Sequence, residues 1–128
     1  PRESQLAWLE ELARVLRPGG FAVLTYHGDR AVERWLAGET PSEAPRPQQL
    51  RDSLPQLRRE GILFFPFGSM RTPNPENIDH WQQLDRAQYG NVFLTREFIE
   101  REWTRHFAIA SHTPAPDDWQ DYVVLRRR

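Results

Sequence analysis

The chain has no cysteine and no lysine, and it has a single methionine among its 128 residues. Without cysteine there are no disulfides, no thiolate nucleophiles and no cysteine-ligated metal. The 17 basic side chains are therefore all arginine, set against 18 acidic ones, for a net charge of −1. That bias favours a GC-rich coding genome. The balance removes any bulk electrostatic reason to expect nucleic acid. No apolar run approaches the ~20 residues of a membrane-spanning helix. PRESQLAWLEELARVLRP interrupts any leader-like segment with charges, so a cytoplasmic protein is expected. Four histidines lack acidic partners at coordinating spacing, so no metal site is expected. There is no phosphate loop, no serine in a nucleophile-elbow context and no internal repeat.

What is present begins with Trp8 to Gly28, WLEELARVLRPGGFAVLTYHG. Leu6, Leu9, Ala13 and Leu16 recur at helical spacing, and Trp8, Leu12 and Val15 widen the apolar stripe. Ser4 or Glu3 is the expected N-cap. Pro18 stops the helix, and Gly19-Gly20 supplies the backbone angles of a sharp turn. Phe21 to Tyr26 then reads as a strand covered on both faces. A helix returned tightly into such a strand is the second half of a βαβ crossover.

Further along, Asp29 is the expected cap of a helix running to Leu36, with Val32, Trp35 and Leu36 as its apolar face. Seven of the eleven prolines fall in Thr40 to Pro55 and Pro66 to Pro75, and Ala37-Gly38 to Pro47 is expected to be irregular. Leu50, Leu54 and Leu57 mark a helix over Gln48 to Glu60 that Pro55 should kink or divide. Gly61 to Phe65 reads as a short strand ended by Pro66. Met70 to Asn77 reads as a loop and Ile78 to Gln88 as a helix or turn. Thr95 caps a helix over Arg96 to His106, with Phe98, Ile99, Trp103 and Phe107 inward. Phe107 to Ala110 and Tyr122 to Leu125 form a closing antiparallel hairpin, joined by Thr113 to Trp119. Arg126 to Arg128 reads as a solvated tail.

LARVLRPGGFAVLTYHG resembles the helix, PGG turn and fifth strand of class I S-adenosylmethionine-dependent methyltransferases. YGNVFLTREFIEREWTRHF and WQDYVVLRRR resemble the last helix and closing hairpin of a small-molecule branch of that family. The resemblance implies an α/β fold: the C-terminal part of a Rossmann-like methyltransferase sheet, with three to four strands and flanking helices, ending in an antiparallel hairpin. The family's glycine-rich cofactor loop and the acidic residue after its second strand have no counterpart here. Residues 1–128 are thus expected to form a single domain, the C-terminal half of such an enzyme. S-adenosylmethionine would be bound by the complete enzyme and not by this chain alone.

In open α/β sheets ligands bind beyond the carboxyl ends of the strands, where Tyr26, His27 and Gly28 sit. The resemblance makes this edge part of the acceptor pocket. His27 is the candidate general base on an acceptor hydroxyl or amine; its other reading is a histidine bonded to the following loop. Tyr89 and Asn91 are candidates for orienting the acceptor by hydrogen bonds, although Gly90-Asn91 also suits a turn. Trp81 would offer an apolar wall, with His80 beside it, or both belong to a surface helix. His106 and His112 read as structural, and Gln120-Asp121 as a pair that satisfies a strand edge. The expected function is methyl transfer to a small-molecule, sugar or natural-product acceptor. The alternative is a non-enzymatic half-domain that dimerises or binds a partner. In either case the strand Phe21 to Tyr26 would expose an edge, so a homo-oligomer is expected.

Overall fold

The computed structural model of the chain describes residues 1–39, 45–66 and 87–128. The described residues are mixed α and β, with helices packed on two antiparallel sheets. Helix α1 spans Arg2–Val15, strand β1 Phe21–Tyr26, helix α2 Asp29–Leu36 and helix α3 Pro47–Glu60. Strand β2 follows at Ile62–Pro66, strand β3 at Gly90–Leu94 and helix α4 at Arg96–Glu102. A 3-10 turn, Trp103–Arg105, leads into strands β4 (Phe107–Thr113) and β5 (Asp121–Arg127).

β1, β5 and β4 form a three-stranded sheet in that order, and β2 pairs with β3. The two sheets touch at the end of β1. There His27 bridges Phe93 in parallel fashion, and the Leu94 amide donates to the His27 carbonyl at 3.1 Å. β4 and β5 form the expected antiparallel hairpin, and β5 also pairs antiparallel with β1. Five strands rather than three to four are present among the described residues. The additional strand is β3, whose Gly-Asn start resembles a turn and becomes extended only by pairing with β2.

α1 starts after Pro1 and not at Ser4 or Glu3. Its inward face is Leu6, Leu9, Leu12, Ala13 and Leu16, whereas Trp8 and Val15 are 67% and 58% exposed. A single contact layer on one side of the helix cannot cover a stripe that wide. β1 is likewise covered on one face only. Ala22, Leu24 and Tyr26 join the core, while Phe21 and Val23 are 59% and 61% exposed on the other side. Gly28, not Asp29, is the N-cap of α2. α3 runs continuously through the exposed Pro55, because the carbonyl that loses its partner lies on the solvent side. Gly61 is not in the strand; it ends α3 in the left-handed conformation, at φ +75°. Thr95 does cap α4, accepting the Phe98 amide at 3.2 Å, but the α-helix ends at Glu102. The tail is not free. Arg126 and Arg127 belong to β5, Arg127 donates to the Leu16 carbonyl, and Arg128 Nε donates to the Phe107 carbonyl at 3.0 Å. Met70 to Asn77, and Ile78 to Gln88 except for its last two residues, lie outside the described residues.

Two apolar clusters flank the β2–β3 ribbon, and strand alternation assigns its side chains to them. Ile62 and Leu94 enter the first cluster, with Leu9, Tyr26, Phe98, Ile99, Trp103, Phe107, Val123 and Leu125. Leu63 and Phe93 enter the second, with Ala31, Trp35, Leu50 and Leu57. The first cluster holds α1 and α4 to the inner face of the larger sheet. The second holds α2 and α3 beyond the carboxyl end of β1.

Candidate functional site

β1 and β4 end, and β5 begins, at the same edge of the larger sheet. A cleft of about 350 Å³ opens there, lined by Tyr26, Gly28, Asp29, Arg30, Glu33, Leu94, Arg96, His112, Pro114 and Asp121. α2 supplies one wall through its first turn, and the start of α4 supplies another. The loop after β4 is tied over the third side. Asp118, at φ +65°, accepts from Arg30 Nε at 2.6 Å and from Arg34 Nη1 at 2.5 Å. The hydrogen bond from Arg30 is the main reason its carboxyl lies below the ordinary range. Arg34 also lies over the Trp119 ring at 4.1 Å. Asp117 completes the loop by accepting the Trp119 and Gln120 amides at 3.0 and 2.8 Å.

Within the cleft, three polar side chains from three neighbouring strands converge. Tyr26 Oη lies 3.0 Å from His112 Nε2, which lies 3.1 Å from Asp121 Oδ2. Asp121 is the direct cross-strand partner of Tyr26. Its second oxygen, Oδ1, accepts the Ala115 amide at 3.1 Å. His112 arrives on this face through an irregularity. The β4–β5 register shifts between Ile109 and Ser111, leaving Ala110 as an extra residue. That bulge puts His112, and not Ser111, opposite the buried Val123. Burial, then the nearby Asp121 carboxylate, pushes the Tyr26 hydroxyl far above its usual range, so it stays a neutral phenol. Gly28 gives the cluster its room: a Cβ there would stand 2.6 Å from Asp121 Oδ2.

The expected site residues divide accordingly. Tyr26 and Gly28 line the cleft, but His27 does not. Strand alternation turns its ring the other way, toward Trp35 and Phe93, at centroid distances of 5.1 and 5.6 Å. Burial lowers the His27 pKa, opposed by a hydrogen bond to the Val92 backbone. Its neutral ring therefore serves the second cluster. Tyr89 is exposed just before β3 and Asn91 lies within β3, opposite Phe65; neither lines this cleft. Trp81 and His80 lie outside the described residues. His112 and Asp121, read as structural from sequence, are the pair that the fold brings into the cleft. Among the described residues no group of three His, Asp or Glu side chains is arranged to hold a metal ion.

Comparison with protein-family models, curated proteins and solved structures finds no match to this chain.

Proposed function

We propose that this chain supplies the acceptor-side half of an S-adenosylmethionine-dependent methyltransferase, acting on a small-molecule, sugar or natural-product acceptor. The observation that carries the reading is the position of the cleft. It lies beyond the carboxyl end of a strand that follows a helix and PGG turn, beside an antiparallel closing hairpin. That is where an acceptor binds in the resembled family. The cleft is small and mixed in charge, lined by Asp29, Glu33 and Asp121 and by Arg30 and Arg96, which suits a polar acceptor of no large net charge. The methyl-donor substrate supplies an electrophilic methyl group. This chain's part is to hold the acceptor oxygen in line with it, and such positioning carries much of the rate.

The described residues include no glycine-rich turn after a strand to receive the donor's adenosine and methionine. Calorimetric titration of S-adenosylmethionine into the 128-residue chain should accordingly show no binding. Joined to a cofactor-binding half, the same chain should bind it and transfer labelled methyl to a panel of sugars and phenols. Micromolar binding by the chain alone would refute the division of labour. Absence of transfer by the joined protein across the panel would refute the methyltransferase reading.

A second reading, a module that pairs with another chain, is favoured by a separate observation. Among the described residues no strand pairs with β1 on the side away from β5, and Phe21 and Val23 stand exposed beside that edge.

A further inference from the structure

We propose that His112, held by Asp121 and Tyr26, is the proton acceptor of the cleft, and that the group it serves is a hydroxyl of the bound acceptor. The assignment of the reaction rests on the methyl-transfer reading above; the acid–base site itself rests on the cluster.

The tautomer follows from the contacts. An ionised carboxylate only accepts hydrogen bonds, so Nε2, at 3.1 Å from Asp121 Oδ2, carries the proton it donates there. The neutral ring then has its lone pair on Nδ1, which has no hydrogen-bond partner among the described residues. Asp121 does two things at once. It fixes that tautomer, and its charge stabilises the imidazolium that forms when Nδ1 takes a proton. The Ala115 amide on Oδ1 holds the carboxylate in place. Tyr26 Oη lies 3.0 Å from the same Nε2 and directs its own proton to the Asp121 carboxylate, so hydroxyl and ring both donate to Asp121. His112 is mostly buried at the cleft wall, with 12% of its side chain exposed, so a ligand reaches it through the cleft and bulk water scarcely does.

The charged groups around the ring come from every neighbouring element: Asp121 from β5, Asp29, Arg30 and Glu33 from α2, and Arg96 from α4. Arg30 is engaged by Asp118 and Glu33, and Arg96 by Glu100 at 2.8 Å. The nearest charge to the ring is therefore the Asp121 carboxylate. The step balances. The acceptor oxygen forms its bond to the methyl carbon, the carbon–sulfur bond breaks with its electron pair left on sulfur, and the hydroxyl proton passes to Nδ1.

The test begins on the chain itself, by nitrogen-15 and carbon-13 NMR of the histidine rings. His112 should be the Nε2–H tautomer when neutral. An Nδ1–H tautomer in the unsubstituted protein would overturn the proposal. In the protein joined to a cofactor-binding half, His112→Gln should lower kcat by about 10²- to 10⁴-fold and abolish the acidic limb of the pH profile. His27→Gln should keep that limb. The limb surviving in H112Q, or vanishing in H27Q, would assign the base elsewhere. Should the unsubstituted joined protein transfer no methyl, the reaction assignment falls, and the tautomer alone decides whether the acid–base site stands.

Discussion

Glu102 shows how much one side chain depends on its surroundings. It is 2% exposed, at the end of α4. Arg2 Nη2 lies 2.7 Å and Arg101 Nε 3.2 Å from its Oε1, and Arg105 Nη2 lies 2.6 Å from its Oε2. Burial alone would raise its pKa. The hydrogen bonds from Arg101 and Arg2 and the charge of Arg105 together outweigh that and hold it below the usual 4.5. A carboxyl depressed in the folded state stabilises the protein above its unfolded pKa, and that stability is lost as pH falls through the folded value. Glu102→Gln should therefore destabilise the protein at neutral pH by about 1–3 kcal/mol. The loss is moderate because the three arginines stay within reach of water. The gap between the melting curves of the two proteins should narrow as the pH drops below the ordinary glutamate range. A gap independent of pH would mean that packing, not charge, is what Glu102 contributes.

At the scale of the element, α3 is the test of local rules. Its leucines repeat at helical spacing and bury Leu50 and Leu57, and Gly61 ends it at a positive φ where a Cβ would stand 2.8 Å from Phe98 Cβ. Pro55 breaks the rule without breaking the helix. It is exposed, so the only losses are one intrahelical hydrogen bond and the contact of its ring with the preceding turn. Pro55→Ala should restore that bond and raise stability by roughly 2 kcal/mol, since a helix-interior proline costs ~3 and its rigidity in the unfolded chain offsets up to ~1. Thermal or urea unfolding measures this directly. An unchanged or lower midpoint would show that the helix bends around Pro55 in a way its neighbours require. β4 carries the other irregular element, the bulge at Ala110. No residue in FAIASHT marks it, because it is set by the partner strand that β4 meets.

At the scale of the whole molecule, the open edge of β1 governs assembly. Backbone groups along Phe21 to Tyr26 on the side away from β5 have no strand partner among the described residues, and Phe21, Val23, Trp8 and Val15 are exposed nearby in sequence. In the proposed complete enzyme that edge takes a strand of the cofactor-binding half. In the isolated chain a second copy is the simplest occupant, pairing β1 with β1 about a two-fold axis. Removing a few hundred Å² of apolar surface from water at about 25 cal/mol per Å² is worth several kcal/mol. Sedimentation velocity should show a concentration-dependent dimer, and Val23→Pro should shift it to monomer by removing a ladder donor. A monomer at concentrations well above micromolar would mean that the chain tolerates its open edge. No helix among the described residues is long and apolar enough to cross a membrane, in agreement with the short apolar runs of the sequence.

Much of this was readable from the amino-acid order because it is local physics. Pro18 and the two glycines after it set the return from α1 to β1, Thr95 caps α4, and the spacing of Phe98, Ile99 and Trp103 marks their inward face. The apolar, β-branched run Tyr122 to Leu125 marks the closing strand. The sequence pointed to the end of β1 as the candidate edge, and Tyr26 and Gly28 line the cleft there. It could not say which neighbouring side chain shares that cleft. His27 and Tyr26 are adjacent in the chain and point to opposite sides of the sheet, and only the packing of Trp35 and Phe93 shows which side is the aromatic core. His112 and Asp121 lie on separate strands, nine residues apart in sequence and 86 and 95 residues from Tyr26. Their meeting depends on the β1–β5–β4 order and on a one-residue bulge in the β4–β5 register. Strand order and register are properties of paired backbones, so the candidate base was decided by the tertiary structure and by nothing in the chain taken one residue at a time.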